Sequence, residues 1–194
     1  MTSLKLITEK VEADIIALCE TKLGENGHGL LEETINKKQY KIFPRYTKSG
    51  KEGLAIAVKH NTFKTTLEVT HSKLKTIMAV RMSTGTCSMR VILGYAPQET
   101  DDEETREQFY DELELEIKMC NEAGDTPLLL GDFNAKLTES DTPQGSPVSN
   151  NGGLFHNILK EYDLEILNFD TDICIQGSGP MLLEQLVQAL FLIM

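Results

Sequence analysis

TPLLLGDFNA, residues Thr126 to Ala135, decides how the rest of this chain is read. Pro127 has no amide hydrogen and does not fit a central strand, so it marks where a strand begins. Leu128, Leu129 and Leu130 follow as a short, continuously apolar run, the pattern of a core strand buried on both faces. The run stops at Gly131, which permits a sharp turn, and Asp132, Phe133 and Asn134 come next. A carboxylate and a carboxamide two positions apart, just past a buried strand, sit on a rigid platform aimed out of the core. Strand ends of this kind are where α/β sheets commonly build their sites. The same residues also suit an Asx turn in which Asp132 and Asn134 only cap backbone groups. The ten residues alone do not separate the two readings.

Outward from this stretch, the chain of 194 residues has the length of one domain with a sizeable core. Its 40% hydrophobic and 25% charged content is that of an ordinary globular protein. No apolar segment flanked by Lys or Arg opens it, so no signal peptide is expected. Cys19, Cys87, Cys120 and Cys174 are far apart with no CxxC spacing. Reduced thiols in an intracellular protein are therefore expected, not disulfides or zinc. The net charge of -11 conceals an asymmetry. Residues 1–98 hold 15 Lys and Arg against 9 Asp and Glu, and residues 99–194 hold 4 against 21. A grip on a polyanion needs a basic face. Only the N-terminal half offers one, through Lys37, Lys38, Lys41, Arg45, Lys48 and Lys51, which equally suit a solvated lysine-rich loop.

Leu4, Ile7 and Val11 recur at helical spacing, predicting a helix over residues 4–11. Asp14 to Cys19 reads as a buried strand ending at Glu20 and Thr21, followed by a loop with Gly24, Gly27 and Gly29. Residues 39–46 and 53–60 predict a strand pair around Ser49-Gly50-Lys51. Strand character continues over 63–70, 74–83 and 86–96, with a hairpin turn at Ser83-Thr84-Gly85. The period then changes. Asp101 to Cys120 carries Phe109, Leu113, Ile117 and Cys120 on one helical stripe, and its leading acidic residues suit a helix N-terminus. Residues 138–151 read as a polar loop, 153–162 as a helix with Phe155, Ile158 and Leu159, and Leu164 to Leu167 as a short strand. Strands followed by helix, strand, helix and strand predict an α/β or α+β sandwich.

From Gly177 the chain changes character. Met181 to Met194 is apolar except for Glu184, Gln185 and Gln188, and at fourteen residues it is too short to span a bilayer as a helix. A packed helix, a membrane-associating helix, and an unrelated end introduced by splicing or a shifted frame all remain open.

Three strand ends carry chemistry. Glu20 and Asp132 each follow a buried apolar run, and Tyr95 ends a third in Ile92-Leu-Gly-Tyr-Ala-Pro97. A hard divalent ion such as Mg²⁺ needs only one or two carboxylates and keeps several waters. Such an ion polarises a phosphoryl oxygen and neutralises a leaving oxyanion. A second carboxylate orients or deprotonates the attacking water. Asn and Tyr supply donors to the phosphate. Glu20, Tyr95, Asp132 and Asn134 are thus the residue types of metal-assisted phosphodiester hydrolysis.

DIIALCETKL (14–23), GLAIAVK (53–59), ILGYAPQ (92–98) and LLLGDFNAKL (128–137), in this order, resemble the exonuclease–endonuclease–phosphatase family. More narrowly, with NGGLFHNILKEYDLEILN (151–168), they resemble endonuclease domains of non-LTR (LINE-type) retrotransposons. The resemblance covers roughly residues 1–170, and it implies a partial domain over 1–176 and a non-family tail over 177–194. The fold it implies is a four-layer α/β sandwich, two packed mixed β-sheets flanked by helices, incomplete at both termini. It assigns Glu20 and Asp132 to a metal, Mg²⁺ or Mn²⁺. It assigns Asp132, Asn134 and Tyr95 to catalysis: Tyr95 contacts phosphate, and Asp132 orients the water.

The implied substrate is DNA, with no membrane partner, in an intracellular or nuclear setting. Oligomeric state is not legible. The family normally starts with a strand ending in a metal-holding Asn and ends with a Ser-Asp-His segment, and neither is present here. None of His28, His60, His71 and His156 stands in such a motif, and they read as loop, surface or structural residues. Activity is accordingly expected to be weak or absent. Alternatives are a non-catalytic retroelement remnant acting only through binding, or a relative acting on lipid or inositol phosphates.

Overall fold

The computed structural model describes residues 13–24, 27–46, 53–60, 62, 68–83, 87–138, 143–167 and 189–193. The helix expected over 4–11, the turns at 49–51 and 84–85, Cys174 and residues 177–188 lie outside them. So does most of the strand expected over 63–70.

Ten strands and three helices are described in order: β1 (Ile15–Cys19), α1 (His28–Ile35), β2 (Tyr40–Tyr46), β3 (Gly53–Lys59), β4 (Glu68–His71), β5 (Ile77–Ser83), β6 (Ser88–Tyr95), α2 (Glu103–Glu122), β7 (Thr126–Asp132), β8 (Leu137–Thr138), β9 (Ser146–Pro147), α3 (Asn150–Glu161) and β10 (Ala189–Ile193). The described residues separate into two units. The first holds β1–β7, α1, β10 and the part of α2 from Glu112. The second holds residues 96–111 and 133–167, with β8, β9 and α3.

The first unit is an α/β sandwich of two mixed sheets. One has the order β10-β1-β3-β2, the other β4-β5-β6-β7. β1 pairs antiparallel with β3 and parallel with β10, and β6 pairs antiparallel with β5 and parallel with β7. Two-residue alternation sorts the side chains. Ile15, Ala17, Cys19, Leu54, Ile56 and Val58 of the first sheet meet Met78, Val80, Met82, Val91 and Leu93 of the second in one buried core. Each fully buried Ile, Leu or Met here contributes roughly 1.5–3 kcal/mol of transfer free energy. The intervening residues Ile16, Leu18, Ala55 and Ala57 face outward and are covered by Leu31 and Ile35 of α1 with Tyr40.

On the outer side of the second sheet, Glu112 of α2 accepts from the Ser72 hydroxyl (2.6 Å), and Glu116 pairs with Arg90 (3.7 Å). Helix, sheet, sheet and helix make the four layers expected from the sequence. Arg81 and Arg90 are direct register partners on β5 and β6, and both reach the buried carboxylate of Asp125, Arg81 through two bonds of 2.7 and 2.8 Å. A buried carboxylate is tolerable only with such partners.

The opening stretch departs from its expected setting. β7 is the edge of its sheet among the described strands, and Leu128, Leu129 and Leu130 are half-buried, not sealed on both faces. Pro127 is accommodated because an edge strand does not require its amide hydrogen. The strand also runs through Gly131 to Asp132. Gly131 is required there: its φ is +144°, and a Cβ would lie 1.9 Å from the Gly94 carbonyl oxygen of β6.

Four further differences stand out. The loop read around Gly24, Gly27 and Gly29 ends at His28, where α1 begins and runs to Ile35, a stretch given no element from the sequence. The polar loop 138–151 contains a short ribbon of β8 on β9. Leu164 to Leu167 is not a strand. Ala189–Ile193, for which a helix was one option, forms β10, because a parallel partner on β1 satisfies its backbone groups.

Gly131→Ala is predicted to lower stability by about 1–3 kcal/mol, the usual range for forced overpacking, through separation of β6 from β7. Urea unfolding followed by far-ultraviolet circular dichroism measures it. An unchanged midpoint would contradict the close approach.

Candidate active site at the strand ends

Parallel pairing of β6 with β7 places Tyr95 opposite Asp132 at the last register position of both strands. The parity of these residues matches Leu93 and Leu130, so both side chains leave the face turned toward the first sheet. That sheet's β1 ends at Cys19, whose side chain already points inward. Simple alternation would send Glu20 the other way. Instead Glu20 adopts a left-handed backbone (φ 52°), and its Oε1 accepts a short hydrogen bond from Tyr95 Oη. A left-handed non-glycine residue is disfavoured by roughly 1–3 kcal/mol and persists when its surroundings over-determine it. Thr21 supplies that constraint: it is buried, and its amide donates to the Gly53 carbonyl (3.1 Å).

The structure therefore brings together Glu20, Tyr95 and Asp132, all in the first unit. The positively charged Lys22, also left-handed, lies 3.6 Å from Glu20 Oε2 with 60% of its side chain exposed. Burial raises the Tyr95 phenol above its usual range, followed by its hydrogen bond to Glu20 and the negative charges of Glu20 and Asp132. Tyr95 is consequently a protonated donor throughout the neutral range. Burial also pushes the Cys19 thiol up to about 12, the nearby carboxylates adding to the effect. Cys19 is thus a neutral thiol around neutral pH; its Sγ donates to the Gly94 carbonyl at 3.5 Å.

Asn134 belongs to the second unit. Its backbone is left-handed (φ 45°), and its Nδ2 donates to the Ala96 carbonyl at 2.7 Å. Beside it, Phe133 stacks on Phe155 (centroids 4.5 Å apart), and the Phe133 carbonyl accepts from Tyr110 Oη (2.6 Å). Glu99 caps α3, accepting from the amides of Asn150 (2.8 Å) and Asn151 (3.1 Å). Partial burial opposes ionisation of Glu99. The two amides, the Ser149 hydroxyl and Arg106 outweigh it and hold the carboxyl below its ordinary value.

Lys22, Glu99 and Asn151 were not singled out from sequence. Only Lys22, two residues past Glu20, carried a visible hint. The described histidines stay outside the set: His60 Nε2 lies 3.3 Å from the Lys37 carbonyl, and His156 sits on α3. Among the described residues, Cys19, Cys87 and Cys120 form no disulfide.

The first unit is thus a four-layer sandwich with a carboxylate, a phenol and a second carboxylate at converging strand ends. The chain belongs to the endonuclease/exonuclease/phosphatase family, whose family model matches residues 2–178.

Solved structures share its fold. An AP endonuclease from Archaeoglobus fulgidus matches with a TM-score of 0.58 and 16% identity, over 81% of this chain and 63% of that one. A 3′ phosphatase, NExo, from Neisseria bound to product DNA hairpin matches with a TM-score of 0.58 and 18% identity, over 82% and 65%. TDP2 from C. elegans matches with a TM-score of 0.54 and 18% identity, over 70% and 43%. The chain thus spans less than two thirds of the length of each. No curated protein sequence matches it.

The depressed Glu99 pKa predicts a pH dependence. As pH falls, the unfolded chain protonates this carboxyl first, near 4.5. The stability it contributes is therefore present above that pH and lost as pH falls through the lower folded value. Glu99→Gln is expected to flatten the drop in melting temperature between about pH 5 and 3 relative to the parent. Parallel acid limbs in thermal melts would contradict the capping role.

Proposed function

We propose that this chain is the core of a divalent-metal-dependent DNA endonuclease derived from a non-LTR retrotransposon. The observation that carries the reading is the convergence of Glu20, Tyr95 and Asp132, with Tyr95 bonded to Glu20 across the two sheets. The retroelement origin is supported by the ordered motifs ETKL, GYAPQ and GDFNAKL. DNA as substrate is supported by the AP endonuclease and the DNA-bound NExo among the shared folds. Among the described residues no helix is long and apolar enough to cross a membrane.

The donor set fits a hard ion. Glu20 and Asp132 supply carboxylate oxygens, and the nearby thiol is protonated; Mg²⁺, or Mn²⁺, is satisfied by one or two such carboxylates and its own waters. When bound, the ion polarises a phosphoryl oxygen and offsets charge on the leaving oxygen. Asp132 orients the attacking water and accepts its proton. Tyr95 exchanges its bond to Glu20 for one to a phosphoryl oxygen once that carboxylate is engaged. Lys22 adds positive charge at the rim, and Asn134 holds the loop that follows Asp132.

A plasmid-nicking assay with Mg²⁺ or Mn²⁺ tests the proposal. Asp132→Ala is expected to nick about 10²–10⁴-fold more slowly, the usual worth of a positioned base. Glu20→Gln should raise the metal concentration needed for half-maximal rate, and chelation should abolish nicking. Equal rates for the parent and Asp132→Ala would remove the assignment. A second reading, a remnant that only binds, is motivated by the apolar stretch from Met181 to Met194. Magnesium titration by calorimetry separates the two: a folded chain with no heat of binding supports the remnant.

A further inference from the structure

Asn151 is completely buried in the first turn of α3, one residue inside the helix from Asn150. Asparagine is a poor helix former, and burying a carboxamide is costly unless it is hydrogen-bonded. Its two amide hydrogens are used on two different loops: Nδ2 donates to the Pro97 carbonyl at 2.9 Å and to the Asn134 carbonyl at 3.3 Å. Its Oδ1, equally buried, has no hydrogen-bond partner among the described residues. One half of the side chain is therefore held at a cost for the sake of the other half.

The surrounding contacts close a ring around these two bonds. Asn134 Nδ2 returns to the Ala96 carbonyl, and Glu99 accepts the Asn151 amide. Lys136 donates its amide to Ser149 Oγ (3.2 Å) and accepts from the Val148 amide (2.9 Å). A Cβ on Gly152 would stand 2.3 Å from the Lys136 carbonyl oxygen, so helix and loop are in direct backbone contact.

We propose that Asn151 is a positioning residue that ties the loop after β6 (96–99) to the loop after β7 (133–136) and holds Asn134 in its left-handed conformation. The role rests on the proposed nuclease reading, since these loops continue directly from Tyr95 and Asp132 in sequence. A short primary amide is required: two divergent carbonyls need two hydrogens on one nitrogen, which a hydroxyl or a carboxylate does not supply.

The test compares the full chain with Asn151→Ala and Asn151→Ser, the second retaining one short donor. Amide hydrogen exchange is measured across residues 95–100 and 132–137, with α3 from Phe155 to Lys160 as internal reference. The expected result is exchange about tenfold faster in both loops, with the reference unchanged and Ser intermediate. Single-turnover nicking should slow by about 10–10²-fold with the KM for DNA little altered, since only geometry is lost. Unchanged loop exchange overturns the proposal, as does faster exchange with unaltered kcat. Failure of both variants to fold also overturns it, in favour of a core residue. Should the parent and Asp132→Ala nick alike, the nuclease reading falls on that control, and the exchange comparison still decides whether Asn151 ties the loops.

Discussion

The backbone contact between Gly94 and Gly131 is the constraint on which the proposed site depends. These residues are register partners in a parallel pair, and the Gly94 carbonyl occupies the space a Cβ on Gly131 would need. The absence of a Cβ on Gly131 lets β6 and β7 stay paired for one more residue. That residue is Tyr95 on one strand and Asp132 on the other. A one-residue slip of β7 along β6 would turn Asp132 away from the first sheet. The same carbonyl accepts from Cys19, so one point of close packing also involves the end of β1.

Glu20 completes the arrangement through a break in regularity. The core between the sheets uses Ile15, Ala17 and Cys19, which leaves Glu20 on the wrong side of an extended strand. A left-handed residue moves it back, and the Thr21 amide bonded to Gly53 holds the break in place. Strain, burial of Thr21 and the Tyr95 hydroxyl act on one short segment. The second unit shows the same economy of means in its loops, where Glu99, Asn134 and Asn151 bind backbone groups that no regular element satisfies.

Much of this was legible in order along the chain, where the pattern was long or local. The strands read at 14–19, 53–60 and 86–96 became β1, β3 and β6, and the stripe of Phe109, Leu113, Ile117 and Cys120 became the buried face of α2. Shorter patterns failed for definable reasons. α1 is eight residues long, contains Gly29 and, among its described side chains, buries Leu31, Thr34 and Ile35. Its helicity comes from packing on Ile16 and Leu18, which no local period reveals. The first turn of α3 reads as Asn-Asn-Gly-Gly, a loop by composition, and becomes helical because Ser149 and Glu99 cap it. Glu99 lies some fifty residues upstream, beyond the reach of any capping motif.

The linear order of residues was sufficient for the family, the sandwich class and the identity of Glu20, Tyr95 and Asp132 as strand-end groups. Hydrophobic period and short motifs are local properties, and they survive without coordinates. Three matters were settled in three dimensions. β7 is an edge strand among those described, since neighbours in a sheet are chosen by pairing. The Glu20 carboxylate meets the Tyr95 hydroxyl, since a single left-handed residue reverses its direction. Asn151 joins two loops that are far apart in sequence, since hydrogen bonds to backbone carbonyls leave no trace in residue spacing.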